Sequence, residues 1–275
     1  MNKLYRALAV LLAVLTLLGA WLLYKGDFWT LRTEEQKVNA IVSYASSDPE
    51  DPSPHRAVLH PVLQFDETFQ NSRILVFTDR DIPGLLGFVR FRRGVLGGWQ
   101  PLSAFYKATP VMIQSTTIPD QDLRVVYGVD CPENIASYKV QANLNNDATL
   151  MAEGAINTPT FFHVHETDRD YFPDIHLYDA DGSELDSWDY LASDDSIPSP
   201  GIGSAEINLV YVFCALLLGI GWLIVKYFWD AGAPPKSKPY DARPRKVLAF
   251  HSAQELWNFE FISCCTEFDN PLFHI

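Results

Sequence analysis

Between Ala7 and Tyr24, and again between Ile207 and Val225, the chain has no charged residue. Uncharged, largely apolar runs of eighteen and nineteen residues exclude an ordinary amphipathic surface helix. At about 1.5 Å rise per residue each covers roughly 27 Å, close to the hydrocarbon thickness of a bilayer. Also missing are a glycine-rich phosphate loop, a dinucleotide fingerprint and a serine in a nucleophile elbow, so nucleotide chemistry and serine hydrolysis have no carrier. Cysteine is scarce. Of four, only Cys131 lies between the two runs, which excludes a disulfide within that segment; Cys214 falls in the second run, and Cys264 and Cys265 near the C-terminus. Basic residues are also few between the runs: residues 26–206 hold 12 Lys and Arg against 28 Asp and Glu, a net of −16. Such a surface repels nucleic acid and collects cations, so no nucleic-acid partner is expected.

Where bases do occur, they fix an orientation. Lys226, Lys236, Lys238, Arg243, Arg245 and Lys246 follow the second run, whereas the sixty residues before it contain one base, Arg169. Lys3 and Arg6 precede the first run, and Trp21-Leu22-Leu23 extends it past the poor cleavage site Leu18-Gly19-Ala20, so it reads as a retained anchor rather than a signal peptide. By the positive-inside rule both ends are cytoplasmic and residues 26–206 extracytoplasmic, in a two-pass cell-membrane protein whose first partner is the lipid bilayer.

The expected organisation is a cytoplasmic N-terminus (1–6), a first span (7–24), a juxtamembrane helix and linker (25–57), an outer domain (58–192), a linker (193–206), a second span (207–225) and a cytoplasmic tail (226–275). Leu31, Val38, Ile41, Val42 and Ala45 recur at helical spacing, with Thr33 and Gln36 placed for a capping box, which predicts a helix over about 31–46. SSDPEDPSP at 46–54 reads as an extended linker. Beyond it come short runs rich in Val, Ile, Phe, Tyr and Thr. Strands are expected at 74–78, 85–91, 111–117, 123–129, 137–144, 148–155, 160–165, 174–178 and 184–188, with hairpin turns at Gly97-Gly98 and Asp181-Gly182 and a division near 119–122. The fold class is mainly β, an antiparallel sandwich-like domain between two transmembrane helices. In the tail, Ser252-Ala253-Gln254-Glu255 opens an expected amphipathic helix, a surface for a protein partner.

One constellation carries metal chemistry. In FFHVHETDRD (161–170), His163 and His165 share one strand face about 7 Å apart, and Glu166, Asp168, Asp170 or His176 stand near in sequence as further ligands. The same residues also suit a polar edge strand followed by an acidic loop. The pattern departs from the cupin motif, since Gly154 is nine residues before His163 and no second motif follows. Asp179, Asp181 and Glu184 lack the alternation of a calcium loop and read as a hairpin turn. Arg90, Arg92 and Arg93 form a small basic patch that pairs with domain acids or takes an anionic ligand.

ILVF at 74–77, GLLGFVRFRRGVLGGW at 84–99, VYGV at 126–129 and IHLYDADGSEL at 175–185 resemble segments of uncharacterised membrane-tethered extracytoplasmic β-domain proteins of Gram-positive bacteria. The resemblance implies a β-rich outer domain and carries no catalytic residue across. The functional expectation is a binding or sensing module without an evident catalytic centre. Its alternatives are a metal-dependent, hydrolase-like domain at His163, His165, Asp168 and Asp170, and an accessory subunit that packs through Gly219, Gly221 and Cys214.

Overall fold

The computed structural model describes residues 2–118, 121–144, 147–167, 174–194, 196–198, 202–203 and 208–231. The division expected near 119–122 falls partly outside these residues. Of the tail, residues 226–231 continue the second apolar helix; the rest, with its expected helix and Cys264 and Cys265, lies outside the described residues.

Two helices are long and apolar enough to cross a membrane: α1 (Asn2–Asp27) and α4 (Leu209–Ala231). Only 11% of the most apolar window of each is buried, so neither is the core helix of a globular domain. They lie antiparallel and aligned end to end. Tyr5 stacks with Phe228 at one end and Tyr24 meets Tyr211 at the other. Between them Thr16 fits against Gly221, and the Cys214 thiol lies 3.5 Å from the Ala20 carbonyl. Gly221 and Cys214 thus face α1 of the same chain, while a Cβ at Gly219 would meet nothing within 4 Å.

Helix α2 (Glu34–Ala45) begins at the expected capping box, the Thr33 hydroxyl accepting from the Gln36 N–H. It buries Ala40, Ile41 and Ala45 against an antiparallel sheet of β1 (Pro61–Phe69), β2 (Ser72–Asp79), β3 (Leu85–Arg93), β4 (Trp99–Ala108) and the two-residue β11 (Ile202–Gly203), in that order. The segment read as an extended linker is tied to this sheet. The Ser46 hydroxyl accepts from the Leu59 N–H, and the Ala57 N–H donates to the Tyr106 hydroxyl.

A second sheet has the order β5 (Met112–Ile118), β6 (Leu123–Val129), β9 (Phe161–Glu166). The third has the order β10 (Asp174–Tyr178), β7 (Ser137–Leu144), β8 (Asp147–Ala155). Antiparallel β structure is as expected, but the strands divide among three sheets. Ile74, Val76, Leu86 and Phe88 of the first share a core with Val125, Tyr127 and Val129 of the second. The second sheet's Ile113, Val126 and Phe161 share another with Tyr138, Val140 and Ala152 of the third. A middle sheet covered on both faces explains why LRVVYGV is nearly continuously apolar and buried from Arg124 onward.

Three strands escaped the sequence reading, β1, β4 and the two-residue β11 within the segment read as a linker, and one expected strand is absent. In β1 the run Gln64-Phe65-Asp66-Glu67 breaks the alternation where a bulge shifts the register between Leu63 and Phe65. In β4, Pro101 argues against a strand, but it sits at the bulge where Arg90 pairs with Ser103 and Phe91 with Pro101. Residues 184–188 make only a single bridge, Tyr178 to Glu184, before α3 (Ser187–Leu191). The Asp179 carboxylate accepts the N–H groups of Asp181 and Ser183, which ends the hairpin in a tight turn at Gly182.

Asp66 joins α2 to the sheet. Its carboxylate takes two hydrogen bonds from Arg73, at 2.6 and 2.7 Å, and pairs with Lys37. Burial raises its pKa, but the hydrogen bonds and charges of Arg73 and Lys37 outweigh burial and leave it below the ordinary value. A depressed carboxylate contributes stability above its unfolded pKa and loses it as pH falls through the folded one. Asp66→Asn is therefore expected to cost about 2–3 kcal/mol near neutrality. Denaturant titrations of parent and variant should converge below the ordinary carboxylate pKa; a gap that persists in acid would remove the ionic explanation.

Candidate functional site

The interface between the middle and third sheets holds the two histidines singled out in the sequence. Strand β9 pairs with β6 so that His163 stands opposite Val126 and His165 opposite Arg124, with Phe161 opposite Gly128. Alternation along the strand turns Phe161, His163 and His165 to the same face, toward β7. There Tyr138, fully buried, places its hydroxyl between them, 2.9 Å from His163 Nδ1 and 2.7 Å from His165 Nε2.

The surroundings hold this arrangement. Phe161 stacks on Tyr138 with ring centroids 5.7 Å apart and lies 4.8 Å from the His163 ring. Gly154 of β8 pairs with Tyr138, and a Cβ there would come within 2.6 Å of the hydroxyl and 3.1 Å of His163 Nδ1. Glycine is required by close approach at this position. Beside the cluster Arg124 is 1% exposed, and its guanidinium reaches the Ser115 hydroxyl at 3.4 Å.

A phenol carries one proton and can accept two hydrogen bonds. The phenol can therefore donate to a bare nitrogen of one ring while accepting from a protonated nitrogen of the other, or accept from both rings. Burial lowers the pKa of both imidazoles, the charge of His163 adding to the effect at His165, and burial pushes Tyr138 up to about 12. Near neutrality the three groups are neutral, the form in which imidazole lone pairs bind metals.

The other expected ligands separate. Glu166 alternates to the opposite face of β9 and is exposed. His176 lies on β10 with its Nδ1 2.6 Å from Glu184. Asp168 and Asp170 lie outside the described residues. Among the described residues no three His, Cys, Asp or Glu side chains gather as a metal site; the third donor beside the histidines is a tyrosine. Sequence reading missed Tyr138 because it is 25 and 27 positions from its partners, on a strand of another sheet.

Comparison with known proteins names no family. The chain matches no family model, no curated protein and no solved structure.

Of the basic patch, Arg90 is engaged: its guanidinium donates to the Thr117 carbonyl at 2.8 Å, across the interface of the first two sheets. Arg92 and Arg93 are exposed. Cys131 is buried, and its thiol is pushed up to about 11 by burial and by Asp130, which makes it a poor nucleophile.

Proposed function

We propose that this protein is a membrane-held binding module, with two spans and residues 26–206 outside, which takes a divalent transition-metal ion at Tyr138, His163 and His165. The observation that carries the reading is the convergence of two imidazole nitrogens on one phenolic oxygen at 2.7 and 2.9 Å. With metal–donor bonds near 2.0 Å, each oxygen–nitrogen pair so spaced subtends about 90° at an ion, the angle of tetragonal copper rather than tetrahedral zinc. The ion replaces the phenolic proton and the tyrosine becomes the third ligand. An outer segment of net charge −16 favours cation capture. The basic residues from Lys226 to Lys246 support the orientation. The resembling segments between 74 and 185 support placing the chain with membrane-tethered extracytoplasmic proteins of Gram-positive bacteria. No catalytic step is assigned to it.

Metal content of the full chain, purified in mild detergent without chelator and then exposed to copper, zinc or manganese, tests this. One copper ion per chain is expected, absent from His163→Ala/His165→Ala. Tyr138→Phe should weaken binding by at least about tenfold and remove the phenolate-to-copper absorption. A parent protein that stays metal-free with all three ions overturns the proposal and leaves the cluster a structural hydrogen-bond group.

A further inference from the structure

The hairpin between β3 and β4 puts apolar side chains further into solvent than any other described part of the outer domain. Val95 is 84% and Leu96 74% exposed, the highest values among the described large hydrophobic residues. They sit on Gly94-Val95-Leu96-Gly97-Gly98, where Gly97 and Gly98 have φ of +84° and +82°.

This tip is fastened to the two apolar helices. The Tyr24 hydroxyl donates to the Gly97 carbonyl at 2.6 Å and accepts from the Leu96 N–H at 3.1 Å; the Val95 N–H donates to the Tyr211 hydroxyl at 3.4 Å. Phe28 stacks on Tyr24 and lies against Gly94 and Gly98. Trp29 and Trp99 exchange two backbone hydrogen bonds, at 2.7 and 2.9 Å, and Gln100 donates to Asp27. Tyr24 is the last residue before Lys25, the first charge after Arg6, and Tyr211 lies in the first turn of α4. The tip is therefore held at the depth where both apolar runs end, the level at which tyrosines mark a membrane–water interface.

Next to the apolar tip is positive charge. Arg92 and Arg93, exposed and with their side chains in no ion pair or hydrogen bond among the described residues, line a cleft of about 240 Å³ with Val95, Gln100, Asn208 and Tyr211. Guanidinium groups beside a tyrosine hydroxyl and an asparagine amide match phosphate oxygens. In an outer segment that is otherwise strongly acidic, this is where an anion meets attraction rather than repulsion.

We propose that the β3–β4 hairpin is a third membrane contact, with Val95 and Leu96 entering the outer leaflet and the Arg92–Arg93 cleft taking the phosphate of an anionic lipid headgroup. The proposal rests on reading α1 and α4 as spans and is independent of the metal site. Lipid is the occupant because apolar tip and basic cleft are adjacent and are held at the end of both apolar runs, the order in which acyl chain and phosphate succeed one another.

The test uses the full chain, freed of its four cysteines, in proteoliposomes, with an environment-sensitive fluorophore on single cysteines at Leu96, Phe213 or Ser183 and quencher-bearing lipids. Phe213, on the exposed side of α4, reports on the span; Ser183, in the β10 turn, reports on the domain surface. Quenching at Phe213 and Leu96 but not at Ser183 is the expected result. Quenching at Phe213 with Leu96 behaving like Ser183 overturns the hairpin contact alone; no quenching at Phe213 overturns the span reading, and the hairpin contact with it. Replacing part of a zwitterionic lipid by phosphatidylglycerol should deepen quenching at Leu96, and Arg92→Gln/Arg93→Gln, with unchanged thermal stability, should abolish that increment. An increment that survives the double variant overturns the lipid-headgroup assignment.

Discussion

Gly87→Val is expected to lower the melting temperature of the β domain by about 10 °C. Gly87 is buried in β3, opposite Phe77 of β2 and Tyr106 of β4. A Cβ there would come 2.6 Å from the Tyr106 Cβ and 2.7 Å from the Phe77 ring. Neither neighbour can withdraw cheaply. Phe77 is fully buried, and the Tyr106 hydroxyl holds the Ala57 N–H at 2.8 Å. Overpacking of this kind costs about 3 kcal/mol, and a domain of this size loses about 2–4 °C per kcal/mol. Thermal unfolding followed by circular dichroism would measure it, with Gly182→Ala as the comparison. Gly182 has a φ of +79° but open space around it, so alanine there should cost only about 1 kcal/mol. Equal losses in the two variants would mean that the packing around Gly87 is looser than described.

Gly221→Leu should part the two apolar helices, whereas Gly219→Leu should not. A Cβ at Gly221 would overlap Thr16 of α1, and at Gly219 would meet nothing. Close approach through small residues is a main source of attraction between helices in lipid, worth about 1–2 kcal/mol here, so pairing should fall roughly tenfold. Oxidative cross-linking of an Ala20→Cys variant to Cys214 reads this directly, because the Cys214 thiol already lies against the Ala20 carbonyl. Cross-linking that persists in Gly221→Leu would show that the helix pair is held at its Tyr24 end, through Tyr24, Phe28 and Tyr211, and not by the contact at Gly221.

Both variants concern glycines whose importance the sequence does not display. Gly219 and Gly221 look alike in the run LLLGIGWLIV, and Gly87 sits in a strand-like run where glycine counts against the assignment. Which of them matters depends on what stands opposite, and neighbours in space follow from the packing of distant segments. The strands at 123–129, 137–144 and 174–178 were legible because LRVVYGV is nearly continuously apolar while SYKVQANL and DIHLY alternate polar and apolar residues. β1 and β4 were not, because each carries its irregularity, a charged run or a proline, at a bulge.

The candidate site divides the same way. Alternation along β9 already put His163 and His165 on one face, since side chains in a strand repeat every two residues. Nothing local named their partner: Tyr138 reaches them only because the third sheet lies over the middle one, and the sequence neighbours Glu166 and His176 turn elsewhere. By itself the sequence determined the two apolar helices, the capped α2, the β character of the segment between the apolar runs and its acidity, all set by composition and short-range periodicity. Only the tertiary structure decided the three-sheet stacking, the tyrosine between the histidines, and the fastening of the Val95–Leu96 tip to Tyr24 and Tyr211. Those depend on contacts between residues far apart in the chain, which no local pattern records.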